Sequence, residues 1–146
     1  MKKILVVDGQ GGKIGRALIE RLTEAQKNAG ETLYEITAVG TNAVATANMM
    51  KAGAEVRGAT GENAVAVCAR RADIITGAIG IIVADAMLGE ITPAIAQNLS
   101  AADAIRVLIP MNRQTQCENY VVGVKEMSLS AILDEAAEMI VNLSKK

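Results

Sequence analysis

The chain opens with Lys3-Ile-Leu-Val-Val-Asp8-Gly9-Gln-Gly11-Gly12-Lys13-Ile14-Gly15-Arg16-Ala17-Leu18. This stretch predicts a buried strand, a glycine-rich turn and the start of a helix, because an apolar run precedes the glycines and helical spacing follows them. Glycines let a backbone approach an anion closely, and the free N–H groups and dipole of a helix N-terminus attract negative charge. The stretch therefore predicts a cradle for phosphate.

Short apolar runs alternate with helical periodicity along the rest of the chain, which is typical of a parallel α/β domain. Strands are expected over Lys3–Val7, Tyr34–Val39, Ala54–Gly58, Asp73–Thr76 and Ile105–Pro110, with a further strand over Tyr120–Val124. Helices are expected over Gly12–Asn28, from Thr41 or Asn42 to Lys51, over Gly61–Arg71 and Ile81–Leu88, from Thr92 onward, and over Ser128–Leu143. We predict a single domain over residues 1–146. Its fold class is α/β, with a doubly wound, mostly parallel, Rossmann-like sheet of roughly five or six strands in order 3-2-1-4-5.

Composition argues against several functional classes. The chain is 51% hydrophobic, which excludes a disordered protein. Its net charge is −1 and it has two Tyr, no Phe and no Trp, so we expect no nucleic-acid partner. No apolar stretch reaches about 18 residues, and we expect no membrane partner.

The sequence lacks histidine, and its two cysteines, Cys68 and Cys117, lie far apart. Histidine is the commonest metal ligand and general base, and paired cysteines would be needed for a zinc site or a disulfide framework. We therefore predict no metal site. The cysteine pattern and the brief N-terminal apolar run, which is too short for a secretory signal, favour a cytoplasmic protein.

Right-handed crossovers place every strand-to-helix turn on one edge of such a sheet, where ligands bind at the switch point of strand order. Strands one and four flank that point, so the turns at Gly9 and Gly77 are expected to face each other. The predicted binding residues are Asp8, Gly9, Gln10, Gly11, Gly12, Lys13, Ile14, Gly15, Gly40, Thr41, Asn42, Thr60, Glu62, Asn63, Gly77, Gly80 and Asn112.

The glycine turn leaves the ligand class open. Its spacing is Gln10-x-Gly12-x-x-Gly15, a dinucleotide fingerprint whose first glycine has become Gln, and no Gly-Lys-Ser/Thr follows as in a P-loop. A dinucleotide-binding fold usually has an Asp or Glu at the end of strand two, which binds the ribose hydroxyl; here that place holds Gly40-Thr41-Asn42. A nucleotide, a dinucleotide such as NAD(P) and a phosphorylated metabolite all stay open. In a structural interpretation the glycines serve only the tight turn.

Asp8 is the unusual member of the turn, because a carboxylate repels phosphate. We favour a structural role in which it accepts loop N–H groups. The functional alternatives are a ribose hydroxyl, an ammonium group or magnesium. Lys13 and Arg16 lie in the first helical turn and are either neutralising partners for phosphate or solvated side chains.

Catalytic residues are not predicted. The polar residues expected near the ligand edge are Glu62, Asn63, Asp85, Glu90, Asn112 and Arg113, and they form no recognisable nucleophile–base pair. Tyr120 and Lys125 are five positions apart rather than four, so the pair used by short-chain dehydrogenases is absent. Whether the protein is an enzyme stays open. The alternative to ligand binding is a non-catalytic regulatory or assembly module.

The predicted helix over Ile81–Leu88 is apolar nearly all round. A helix that covers one face of a sheet should show one polar side. We therefore expect its outer face to meet a second copy of the chain in a homodimer or a larger homo-oligomer.

Several blocks together resemble a small bacterial family, the domain-of-unknown-function family numbered 3842. They are Asp8-Gly-Gln-Gly-Gly12 with Ile14-Gly15, Gly40-Thr-Asn-Ala43, Ala59-Thr-Gly-Glu-Asn63, Gly80-Ile-Ile82 and Met87-Leu-Gly-Glu-Ile-Thr-Pro93. The resemblance spans nearly the whole chain. It implies a compact Rossmann-like protein and supplies neither an activity nor catalytic residues.

Overall fold

Five parallel strands form one sheet in the computed structural model, which describes residues 1–110, 122–123 and 126–146. The strands are β1 (Lys2–Asp8), β2 (Tyr34–Gly40), β3 (Arg57–Thr60), β4 (Ile74–Ala78) and β5 (Ile105–Ile109). They pair in the order β3-β2-β1-β4-β5. The predicted α/β fold and its strand order are confirmed.

Helices cover both faces of the sheet. They are α1 (Lys13–Ala29), α2 (Ala43–Met50), α3 (Glu62–Arg71), α4 (Pro93–Ala101) and α5 (Leu129–Ser144). Side chains alternate along β1, so that Ile4 and Val6 pack with α1, α2 and α5, whereas Leu5 and Val7 pack with α3 and α4. Both faces of β1 are thus buried, as its unbroken apolar run requires.

Tyr34 begins β2 and joins it to α1. Its hydroxyl donates a 2.7 Å hydrogen bond to the carbonyl oxygen of Leu22. Burial raises the pKa of the phenol to about 12. The residue is 1% exposed, so its ring fills the core while its polar end is satisfied by the helix backbone.

Two strands differ from their predicted bounds. β3 was expected over Ala54–Gly58 but begins at Arg57 and ends at Thr60. β4 was expected to end at Thr76 but continues to Ala78, so Gly77 lies inside a strand and not in a turn. A Cβ at Gly77 would stand 2.5 Å from the carbonyl oxygen of Val7. Glycine is needed at this position because β1 and β4 approach each other too closely for a side chain. The predicted strand over Tyr120–Val124 lies largely outside the described residues.

The predicted helix over Ile81–Leu88 is wrong. One turn of 3-10 helix covers Ile79–Ile82, and the chain then follows irregular turns. Asp85, Met87 and Leu88 all have left-handed backbone with φ between 57° and 67°, which a right-handed helix cannot contain. The run is apolar because side chains such as Ile81 and Ala86 are buried against the sheet. The inference of an outward apolar helix face, on which the dimer interface was placed, therefore fails.

A close backbone contact fixes α1 against α2. Gly12 is the N-cap of α1 at φ 71°, and a Cβ there would stand 2.7 Å from the carbonyl oxygen of Ala45. Gly30, the C-cap of the same helix, has a similar φ of 69°, but a Cβ added there would meet no atom within 4 Å. The two glycines thus share a conformation and differ in their surroundings.

We predict that Gly12→Ala lowers the free energy of unfolding much more than Gly30→Ala. Both substitutions strain the left-handed backbone, at a cost of about 1 kcal/mol. Gly12→Ala also forces two backbones apart, which adds about 2 kcal/mol. Urea unfolding of both variants measures the difference. If both substitutions lower the free energy of unfolding equally, α2 moves away from Gly12 at no measurable cost.

Candidate functional site

The carboxyl ends of the strands form one edge, and the glycine turn lies at its centre. Asp8 ends β1 in register with Gly40 of β2, which is in register with Thr60 of β3. The turn from Gly9 to Gly12 links β1 to α1, and Asn42 caps α2 through its side chain, which accepts from the backbone N–H of Ala45. The β1 and β2 turns are therefore neighbours at this edge.

Asp8 closes the glycine turn from beneath. Its Oδ1 accepts a 2.8 Å hydrogen bond from the backbone N–H of Gly9, and its Oδ2 accepts one of 2.8 Å from that of Gly15. The residue is 5% exposed. This is the structural role that the sequence favoured for Asp8. It means that a carboxylate already uses part of the N-terminal donor set of α1.

A second carboxylate, from Glu90, lies on top of the turn. Its Oε1 accepts from the backbone N–H of Gln10 at 2.9 Å, from Oγ1 of Thr41 at 2.8 Å and from Nδ2 of Asn42 at 2.8 Å. Asn42 Nδ2 also donates to the carbonyl oxygen of Gln10 at 3.0 Å. Three donors from the turns that follow two neighbouring strands thus converge on one oxygen atom.

The segment that brings Glu90 here also covers Gly9. A Cβ at Gly9 would stand 2.8 Å from Thr41 Oγ1, 2.9 Å from Met87 Sδ and 3.2 Å from Glu90 Oε1. The residues that face the glycine turn are therefore Met87 and Glu90. Gly77 and Gly80 were also expected to face it, and the structure places Gly77 within β4 beside Val7 and buries Gly80 in the 3-10 turn.

The two carboxylates have opposite pKa shifts. Burial raises the pKa of Asp8, and the charge of Glu90 acts in the same direction, while hydrogen bonds from the backbone of Gly15, Gly9 and Ile14 oppose this rise. Desolvation also acts to raise the pKa of Glu90, but the bonds from Gln10, Thr41 and Asn42 outweigh it and lower that pKa. Glu90 is thus held as an anion by its donors.

The glycine turn also presents backbone N–H groups and a cationic side chain at this edge. No hydrogen-bond partner among the described residues is found for the backbone N–H of Gly11 or of Lys13. The side chain of Lys13 is exposed and runs past Gly11, its Cγ lying 4.0 Å from where a Cβ of Gly11 would be. Arg16 is less free, because it bonds to Asn48 and Glu20.

Asn48 is a residue of this region that sequence reasoning did not single out. Its Nδ2 donates a 2.8 Å hydrogen bond to the carbonyl oxygen of Gly11, and its Oδ1 accepts one from Arg16. It lies on α2, so it holds the outer part of the glycine turn against the neighbouring helix. Its position in the middle of a helix offers no signal of this contact.

The other predicted residues make no hydrogen bond to Glu90 among the described residues. The hydroxyls of Thr60 and Thr46 share a 2.7 Å hydrogen bond, and Glu62 Oε2 accepts a 2.6 Å bond from Thr92. Asn63 is exposed at the start of α3. Ile14, the second residue of α1, is partly buried and packs against the core. Asn112 and Arg113 lie outside the described residues.

Two cavities occur elsewhere on the molecule. One, of about 720 Å³, lies at the amino ends of β2 and β3 and is lined by residues that include Lys27, Glu55 and Arg57. The other, of about 390 Å³, lies between β5 and α5. Neither is lined by the glycine turn.

The described residues hold neither a metal-binding group nor a membrane span. Within residues 1–110, 122–123 and 126–146, no three His, Cys, Asp or Glu side chains are grouped so as to hold a metal ion. No helix in that part of the chain is both long and apolar enough to cross a bilayer.

A comparison with protein families places the chain. The family described as Domain of unknown function (DUF3842) matches residues 3–145, and the chain belongs to that family. Comparisons with curated proteins and with solved structures found no match. The site must therefore be interpreted from its own geometry.

We expect Asp8→Asn to destabilise the protein by about 2–4 kcal/mol. The amide can accept only one of the two N–H groups that Asp8 now binds, and its own NH2 then faces a donor in a buried place. Asp73→Asn is the matched control, since Asp73 accepts a single exposed hydrogen bond of 2.7 Å from the N–H of Lys3. This substitution should lower the free energy of unfolding by less than about 1 kcal/mol. Chemical unfolding measures both. If Asp8→Asn lowers the free energy of unfolding only slightly, the glycine turn does not depend on the charge of Asp8.

The contribution of Glu90 should depend on pH. Because its folded-state pKa lies below the ordinary value of 4.5, its stabilisation is complete above 4.5 and is lost as pH falls through the folded pKa. Glu90→Gln should therefore cost about 1 kcal/mol near neutral pH, a value kept low by solvent screening, and progressively less in acid. Unfolding of both proteins across this pH range measures the difference. If the difference in free energy of unfolding between the wild type and Glu90→Gln does not change with pH, the hydrogen bonds assigned to Glu90 are contradicted.

Proposed function

We propose that the protein binds a nucleotide or a similarly phosphorylated metabolite at the carboxyl edge of its sheet. One observation supports this above all, namely the convergence of Gln10 N–H, Thr41 Oγ1 and Asn42 Nδ2 on a single point. Donors arranged in this way select an anion, and hydrogen bonds to a charged acceptor are stronger than neutral ones. Their occupant in the structure is itself an anion, the Glu90 carboxylate.

The surroundings of this point fit a phosphate that is joined to a larger group. Lys13 provides an exposed positive charge beside the turn. Val44 and Leu88, which are 69% and 83% exposed, each lie two positions from Asn42 or Glu90 along the chain. Such exposed aliphatic side chains offer a contact for a planar base or another apolar group. NAD(P) stays within this proposal, as does a mononucleotide.

A non-catalytic regulatory or assembly module is the second candidate. It is favoured by the packing roles of the glycines, since Gly9 lies under Met87 and Gly12 against Ala45. In this case the turn exists to bring α1 and α2 together, and the exposed Leu88 contributes to a surface for a second copy. Homo-oligomer formation stays a prediction that no longer depends on an apolar helix.

A ligand panel tests the first candidate. We expect ADP, ATP, NAD or NADP to raise the melting temperature of the wild-type protein, and Lys13→Gln to weaken binding about three- to tenfold through the loss of one nearby charge. Lys27→Gln is the control, because Lys27 lies at the other end of α1 beside the 720 Å³ cavity. Isothermal titration calorimetry gives the affinities.

The two variants locate the ligand. A loss of affinity confined to Lys13→Gln supports the glycine-turn site. A loss confined to Lys27→Gln would assign the ligand to the cavity at the amino ends of the strands and contradict the proposal. No thermal shift with any nucleotide, phosphate or phosphosugar would leave the assembly module as the better interpretation.

A further inference from the structure

The Glu90 carboxylate occupies the three donors at which the proposed ligand would bind. We infer that the Glu90 carboxylate is an internal competitor for the phosphate position, and that a ligand phosphate must displace it to bind. This inference rests on the proposed function, because it concerns how the same donors change partners. The part of the chain that moves is residues 88–90, which we call the Glu90 tip.

Glu90 is held at the turn through one of its two carboxylate oxygens. All three donors use Oε1, while no bond to Oε2 is found among the described residues. The side chain is only partly buried, so it can rotate outward without crossing packed core. A phosphate oxygen at the vacated point would accept the same three bonds. The exchange therefore replaces one anion by another on an intact donor set.

Charge makes the two occupants mutually exclusive. The Asp8 carboxylate lies beneath the turn, and its pKa is raised in part by the negative charge of Glu90. A phosphate brought in beside both carboxylates would meet two like charges at close range, with Lys13 as the nearby cation. Departure of Glu90 removes one of those charges. Binding and the Glu90 contact thus oppose each other.

Backbone anchors confine the movement to the tip. On one side Ala86 and Met87 are buried, and on the other Ile91 is buried. Thr92 is held by its 2.6 Å bond to Glu62. Between these anchors two backbone hydrogen bonds close the tip, from the N–H of Gly89 to the carbonyl oxygen of Asp85 at 3.0 Å and from the N–H of Glu90 to that of Met87 at 3.2 Å. Leu88 is 83% exposed and has a left-handed φ of 57°, which is costly for leucine, so opening of the tip breaks these two bonds and relieves that strain. The tip can therefore open while α3 and α4 stay in place.

The test compares inorganic phosphate binding by the wild type, Glu90→Ala and Asp85→Asn. Asp85 is the matched control, because it lies in the same segment with an exposed side chain and a φ of 67° that asparagine tolerates. We expect Glu90→Ala to bind phosphate about tenfold more tightly than the wild type, since removal of a competing closed state raises the competent fraction. Asp85→Asn should bind as the wild type does.

Stability gives a second readout with the same variants. Glu90→Ala leaves three donors without an acceptor, so it should melt at a lower temperature than the wild type in chloride buffer. Phosphate should restore most of that loss, and it should do little for Asp85→Asn. If Glu90→Ala does not fold, Glu90→Gln replaces it, because the amide keeps an acceptor oxygen and loses only the charge.

The outcomes separate this inference from the proposed function. Nucleotide binding by the wild type, together with unchanged or weaker phosphate binding by Glu90→Ala, would overturn the competition and leave the binding site standing. If neither protein binds phosphate or nucleotide, both ideas fail. Hydrogen exchange adds a direct check, since the amides of Gly89 and Glu90 should exchange faster in phosphate-saturated wild type. Slower exchange there would mean that Glu90 stays in place.

Discussion

The buried Asp8 carboxylate is the interaction on which the carboxyl edge of the sheet depends. It binds N–H groups on both sides of the glycine turn, those of Gly9 and Gly15, and so fixes where β1 stops and how α1 departs. With α1 in that position, Gly12 meets Ala45 and brings α2 alongside. The caps and turns that follow β1 and β2 then lie close enough to share a single acceptor. A buried charge is tolerated because its oxygens are satisfied by the backbone.

The same arrangement distinguishes this edge from that of a typical dinucleotide-binding sheet. There the pyrophosphate lies at the N-terminus of the first helix. Here Asp8 takes the N–H of Gly15 at that helix, and the remaining convergent donors come from Gln10, Thr41 and Asn42. A phosphate held by these donors, as proposed, would lie beside the turns that follow β1 and β2. Gln10 stands where the fingerprint has its first glycine; it contributes its backbone N–H and keeps a left-handed φ of 49°, a conformation that glycine adopts at lower cost.

Local patterns in the sequence were sufficient to predict the sheet, its order and most helices, because most strands are short apolar runs and several helices begin at a capping side chain. The bounds of β3, Arg57-Gly-Ala-Thr60, were missed because that strand is not an apolar run. The patterns failed over residues 81–88, where apolar residues are buried one by one along an irregular path. An apolar run does not reveal its backbone path, and the left-handed residues Asp85 and Leu88 have no distinguishing neighbours. Glu90 was expected near this edge, but its contact with the glycine turn was not predicted, since its bond to Gln10 joins positions 80 apart. Contacts between residues so far apart in the sequence depend on the tertiary fold and cannot be predicted from the spacing of residues in a motif.

Tyr34 gives this molecule an intrinsic optical signal. The chain contains two tyrosines and no tryptophan, so its near-ultraviolet absorption depends on very few rings. The phenol of Tyr34 is tied to Leu22 between β2 and α1, and its pKa of about 12 keeps it protonated in moderately alkaline solution while the fold persists. Phenolate absorption from this ring would therefore appear when α1 separates from β2. The unlabelled protein can report on the joint between its first helix and the sheet.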